Sequence, residues 1–254
     1  MHSGGMNITR RTIPTVLAIA VLLTAAWYGP SANAATTTTT PSYTRCPGIN
    51  SHFVTTHAWP LKLGPLGRDV VGTNHVADDM HIVPGYAGVT FHTSYADFKP
   101  GLLSTAGNSS FNPLAKSFYM GYHFYLNEYP HGYNLAQFGT SDGANGDSFI
   151  KPLPGYSRVT GSLGTVRVTG TYPYPVPEHQ WHWLCLERVG NVWTQLYDGR
   201  AIGTITQDIG VIDLSKNLNY FSIGGKRLGG GAITDDQDLC TCYISDVQVG
   251  DATK

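Results

Sequence analysis

The chain has 254 residues, with 16 Lys or Arg against 17 Asp or Glu and a net charge of −1. A balance so near neutral, with no run of basic residues, excludes a protein that tracks a phosphate backbone electrostatically. Thirty glycines and 15 tyrosines, against glutamate at Glu128, Glu178 and Glu187 alone, starve helices and suit strands joined by turns.

Arg10 and Arg11 precede the apolar run TVLAIAVLLTAAW, which is short for a bilayer span and is followed by the small-residue pattern Ala32-Asn33-Ala34. Residues 1–34 therefore read as a secretory signal peptide cleaved after Ala34, by the general route rather than the twin-arginine one. The expected location is extracellular or cell-envelope, with no stable membrane span after cleavage. Five consecutive threonines mark residues 35–45 as an exposed linker. About 220 residues remain after the leader, the size of one large all-β domain, expected over 46–254. Losing Arg10 and Arg11 leaves 14 basic against 17 acidic residues, a net of −3, and nucleic acid is not an expected partner.

Between Cys46 and Leu114 the pattern is weak, and GVTFHTSY (Gly88 to Tyr95) alternates best. His52, His57, His75, His81 and His92 fall in this part, with Asp78 and Asp79 inside NHVADDMH, but they lack the spacing of a metal shell. The clearest strand is Phe118 to Leu126. Period-two alternation puts Phe118, Met120, Tyr122, Phe124 and Leu126 on a core face, and Tyr119, Gly121, His123 and Tyr125 on the other. Aromatic rings with polar tips around a glycine are what a sugar-binding surface needs; the same residues also suit a second core layer.

Strands are further predicted over Asn134 to Thr140, Val166 to Thr169 and Gln180 to Arg188. The acidic loop SDGANGDS offers Asp142, Asn145 and Asp147 as oxygen ligands for calcium, although Asp, Asn and Gly equally suit plain turns. Asp235, Asp236 and Asp238 form a second such loop. Asp198-Gly199 separates two alternating segments, the pattern of a type I′ hairpin. Ile244, Val247 and Val249 are spaced three and then two apart, which predicts a bulge near Ser245-Asp246.

The order WHWLCLERVGNVWTQLYDGRAIGT, NYFSIGGK, CYISDVQVG resembles the C-terminal half of laminin-G-like and concanavalin A-like domains, over about Ser117 to Val249. Ile244-Ser245-Asp246-Val247-Gln248-Val249 matches the closing signature of laminin-G-like domains. The resemblance implies an all-β antiparallel β-sandwich of jelly-roll type, a fold used by lectins, glycanases and lyases, often with one structural calcium at a rim. It implies a secreted carbohydrate-binding protein whose partner is a polysaccharide or glycoconjugate, with Tyr119, His123, Tyr125 and Gln137 as ligand-binding candidates. The enzyme alternative on the same concave sheet is a polysaccharide lyase, which would use His123, Tyr125 and Arg158, or Arg167, to abstract a proton and neutralise a uronate, or an atypical glycoside hydrolase with Glu128 and Glu187 converging in space. A laminin-G-type protein-adhesion domain is the third reading. The Glu-x-Asp-x-x-Glu strand of retaining glycanases is absent, as are the Gln-Ile-His and Tyr-x-Lys-x-Gly strands of alginate lyases, Tyr220 to Lys226 being a loose echo of the latter. There is no Gly-x-Ser-x-Gly and no Cys-x-x-Cys.

Cys46, Cys185, Cys240 and Cys242 make an even set, expected as two disulfides in an exported protein, with three pairings open. In the resembled fold the first and last strands are neighbours, which implies Cys46 with Cys240 or Cys242 and Cys185 with the other.

Overall fold

Alternation decides the layers. In the computed structural model, apolar side chains at every second strand position meet between two antiparallel sheets, and the polar or aromatic alternates face outward. The structure describes residues 42–62, 67–73, 75–78, 89–99, 102–106, 116–127, 135–139, 149–170, 177–214, 220–225 and 239–252. The proposed leader, most of the linker, Asp142, Asn145, Asp147, the acidic loop of Asp235, Asp236 and Asp238, and Glu128 lie outside the described residues.

The larger sheet contains β1 (Phe53–Trp59), β3 (Val89–Phe91), β4 (Ala96–Phe98), β6 (Phe118–Leu126), β11 (Trp181–Val189), β12 (Val192–Tyr197), β13 (Arg200–Thr206) and β15 (Cys242–Ala252). They run in the order β13-β12-β11-β6-β15-β4-β3, and β1 joins β15 beside β4. The smaller sheet is ordered β10-β9-β8-β7-β14-β5-β2, from β2 (Ala77–Asp78), β5 (Leu103–Ala106), β7 (Ala136–Gly139), β8 (Phe149–Lys151), β9 (Tyr156–Gly161), β10 (Gly164–Thr169) and β14 (Tyr220–Ile223). Every pairing is antiparallel, and the described residues contain no helix, hence none able to cross a membrane.

The core between the sheets takes Phe118, Met120, Tyr122, Phe124 and Leu126 from β6, with Trp193, Phe138, Phe221 and Trp59 from other strands. Tyr122 enters it because its hydroxyl donates to the Pro152 carbonyl at 2.8 Å, and burial pushes the phenol pKa well up. Asp198 and Gly199 both adopt positive φ, 47° and 80°, between the paired residues Tyr197 and Arg200, as the type I′ reading expects. The predicted bulge is present: the β15–β6 register shifts between Ser245 and Gln248, and Asp246 sits at φ 49°.

Candidate functional site

The outer face of the larger sheet is built in rungs. Register places Tyr243, Tyr125 and Trp181 side by side across β15, β6 and β11; Ser245, His123 and Trp183 form the next rung. Then come Gln248, Gly121 and Cys185, and finally Gly250, Tyr119 and Glu187. These four rungs divide into a covered half and an open half.

The covered half lies under the N-terminal segment. Cys46 is bonded to Cys185, and its amide donates to Gln248 Oε1 at 2.9 Å while Gln248 Nε2 donates to the Thr44 carbonyl at 2.8 Å. The pairing implied by the resemblance is thus corrected, since the second bond joins Cys240 to Cys242. The reason is the face: Cys46 and Cys185 lie outside the sheet, whereas Cys240 and Cys242 belong to the inter-sheet core. Gly121 leaves no room for a sugar. A Cβ there would stand 2.5 Å from Cys46 Sγ, so the glycine exists to let the disulfide cross the sheet. Tyr119 is likewise 0% exposed, packed edge-on to Phe53 at 5.6 Å and hydrogen-bonded to Thr55 Oγ1 at 2.6 Å. It is a second-core residue and touches no ligand from this position.

The open half is aromatic. Tyr125 stacks on Tyr243 (5.1 Å, 18°) and Tyr243 on Tyr95 (4.6 Å, 30°), with His92 stacked on Tyr95 in turn (4.7 Å). His123 lies parallel to Trp183 (4.8 Å, 15°) and 4.5 Å from Trp181. Each of these rings is partly exposed. The turn at Asp198 holds the strand that carries both tryptophans: its carboxylate accepts from the Trp183 amide and bonds His182 Nδ1, each at 2.8 Å. At the far end Asp97, paired across from Tyr243, is 3% exposed and bonds Lys99 Nζ at 2.8 Å, which raises the lysine pKa and keeps it charged.

His123 contacts Ser245 Oγ at 3.2 Å, and burial pushes its pKa down to about 4, with His182 adding to the drop and Asp198 opposing it. It is a neutral hydrogen-bonding group at physiological pH. An unfolded histidine titrates near 6.5, so the unfolded chain binds the extra proton between about 6.5 and about 4. Stability from this site is complete above pH 6.5 and is lost as pH falls toward 4. The raised carboxyls of Asp246 and Asp251 act oppositely. The comparison is therefore denaturation of wild type and His123→Gln at pH 7.5 and pH 4.5: the variant should lose less on acidification, and equal losses would contradict the assignment.

Of the residues named from sequence, His123 and Tyr125 share this open patch. Gln137 and Arg158 are on the smaller sheet: Gln137 is 0% exposed and donates to the Gly139 carbonyl, and Arg158 flanks core-facing Val159 and so faces away on the opposite side of the sandwich. The structure does not bring Arg158 to His123 and Tyr125, nor Gln137 to the ligand-binding set. Sequence reasoning missed Trp181, Trp183, Tyr243 and Tyr95. The signal available was Trp-His-Trp within a predicted strand, which puts both indoles on one face. Among the described residues, no group of three His, Cys, Asp or Glu is placed to hold a metal ion.

No protein-family model matches the chain, and no curated protein matches it in sequence. Solved structures do match. Domain 4 of AbnA, an extracellular arabinanase of family GH43 from Geobacillus stearothermophilus solved with arabinotriose, has a TM-score of 0.52 at 12% identity, covering 79% of this chain and 93% of that one. The binding domain of botulinum neurotoxin DC in complex with SialylT gives 0.53 at 10% identity over 79% of this chain. A botulinum neurotoxin type C structure, a toxin whose cell entry depends on interaction with two ganglioside molecules, gives 0.50 at 13% over 80%. The match spans about half of each toxin chain, 48% in both. The likeness establishes the all-β sandwich fold.

Proposed function

We propose that the protein is a secreted carbohydrate-binding domain of concanavalin A-like, laminin-G-like type, which holds an extracellular or cell-envelope glycan on the open aromatic rungs. One observation carries the reading: Tyr95, Tyr125, Trp181, Trp183 and Tyr243 are gathered on one partly exposed sheet face, beside uncharged His123 and Ser245. Such rings stack on the C–H face of a pyranose, and neutral donors and acceptors meet its hydroxyls. That the sandwich neighbours include domains solved with arabinotriose and SialylT supports the reading, as do two disulfides and an apolar leader for export.

A glycan array, followed by tryptophan-fluorescence titration with the best ligand, tests it. Trp181→Ala should weaken binding at least tenfold while the protein stays folded, losing only about 1 to 2 kcal/mol from its ring contacts. Unaltered affinity would remove the site from this face. The same incubations read for ultraviolet-absorbing unsaturated products distinguish a lyase from a binding domain.

A further inference from the structure

We infer that the outer face of the smaller sheet is a second, electrostatic binding site, whose ligand is a linear polysaccharide bearing carboxylate or sulfate groups. Register aligns three cations across three adjacent strands: Lys151 of β8 lies directly opposite Arg158 of β9, which lies directly opposite Arg167 of β10. Their chain neighbours Ile150, Val159, Val166 and Val168 point into the core, so all three face outward, and both arginines are exposed. The register thus gathers three positive charges on one outward face, a field complementary to an anionic ligand.

Two further features give the row its chemistry. The Arg167 guanidinium lies 3.8 Å over the Tyr156 ring, which fixes the plane of a group suited to bidentate contact with carboxylate or sulfate. Thr160 and Thr165, paired with each other across the same two strands, bond through their hydroxyls at 2.8 Å and supply polar contacts one step along the row's flank. Neighbouring strands are about 4.8 Å apart, so a chain laid across them meets one cation per strand. A single row in a chain of negative net charge, with the Tyr156 ring occupied by Arg167, favours an anionic glycan over nucleic acid, which wants a longer basic track and free stacking rings. Lys151 and Arg158 also interact within the domain, so an arriving anion adds to an ordered row.

The test uses the whole exported protein with heparin and polygalacturonate as probes, neutral dextran as control and duplex DNA as competitor, titrated at several salt concentrations. Wild type should bind an anionic glycan with affinity that falls steeply with salt. Arg158→Thr/Arg167→Thr should bind at least tenfold more weakly with a shallower salt dependence, while Arg158→Lys/Arg167→Lys should recover only part of the binding, keeping the charge and the salt dependence but not the bidentate contact. Trp181→Ala should leave this binding intact, which separates this site from the aromatic face. The inference is overturned if the Thr variant, folded by its melting temperature, binds as wild type does, if binding is independent of salt, or if DNA outcompetes both glycans.

Discussion

Removing the Cys46–Cys185 bond by Cys46→Ala/Cys185→Ala should cost about 5 kcal/mol, because the bond closes a loop of sequence separation 139 and the chain-entropy cost of such a loop grows with its length. The second bond, of separation 2, should contribute only about 1 to 2 kcal/mol on the same reasoning. Equilibrium denaturation of the two double variants measures the difference directly. The larger loss should come with more than loop entropy, since the segment freed from the sheet also uncovers Tyr119, Phe53 and Leu196, which are packed beneath it. Equal destabilisation by the two variants would mean that loop closure does not govern this domain.

Adjacent residues of β6 should behave in opposite ways. Phe124→Ala empties a fully buried site between the sheets and should cost about 3 to 5 kcal/mol. Tyr125→Ala, half-buried on the outer face, loses its stack on Tyr243, worth about 1 kcal/mol, yet should weaken glycan binding at least tenfold. Denaturation midpoints and fluorescence titrations on the same two proteins decide the matter. If Tyr125→Ala unfolds the domain as badly as Phe124→Ala, the aromatic rungs are packing and not a binding surface.

What was legible in the sequence was local. Alternation from Phe118 to Leu126 places every residue that β6 sends between the sheets, and Asp198-Gly199 and the uneven spacing of Ile244, Val247 and Val249 mark a turn and a bulge that involve few residues each. The candidate site is instead a product of register between strands far apart in the chain. Nothing near Tyr125 in sequence announces that Tyr243 and Trp181 will flank it, and nothing near Gly121 announces a disulfide above it. The cysteine pairing failed for the same reason: neighbouring strands do not ensure a shared face, and Cys46 and Cys242 lie on opposite ones. Gln137 and Arg158 had the right chemistry on the wrong sheet.

The position of β15 governs the order of assembly. The last strand of the chain fills the middle of the larger sheet, with β6 on one edge and β1 and β4 on the other. Hairpin neighbours such as β11, β12 and β13 pair through local contacts, but β1 and β4 find no partner in the sheet's centre until β15 is in place. Such distant pairing is slow, and until it happens three strand edges stand open to other chains. A copy that lost β15 would therefore expose the central edges of the larger sheet, which makes loss of this strand a route to aggregation.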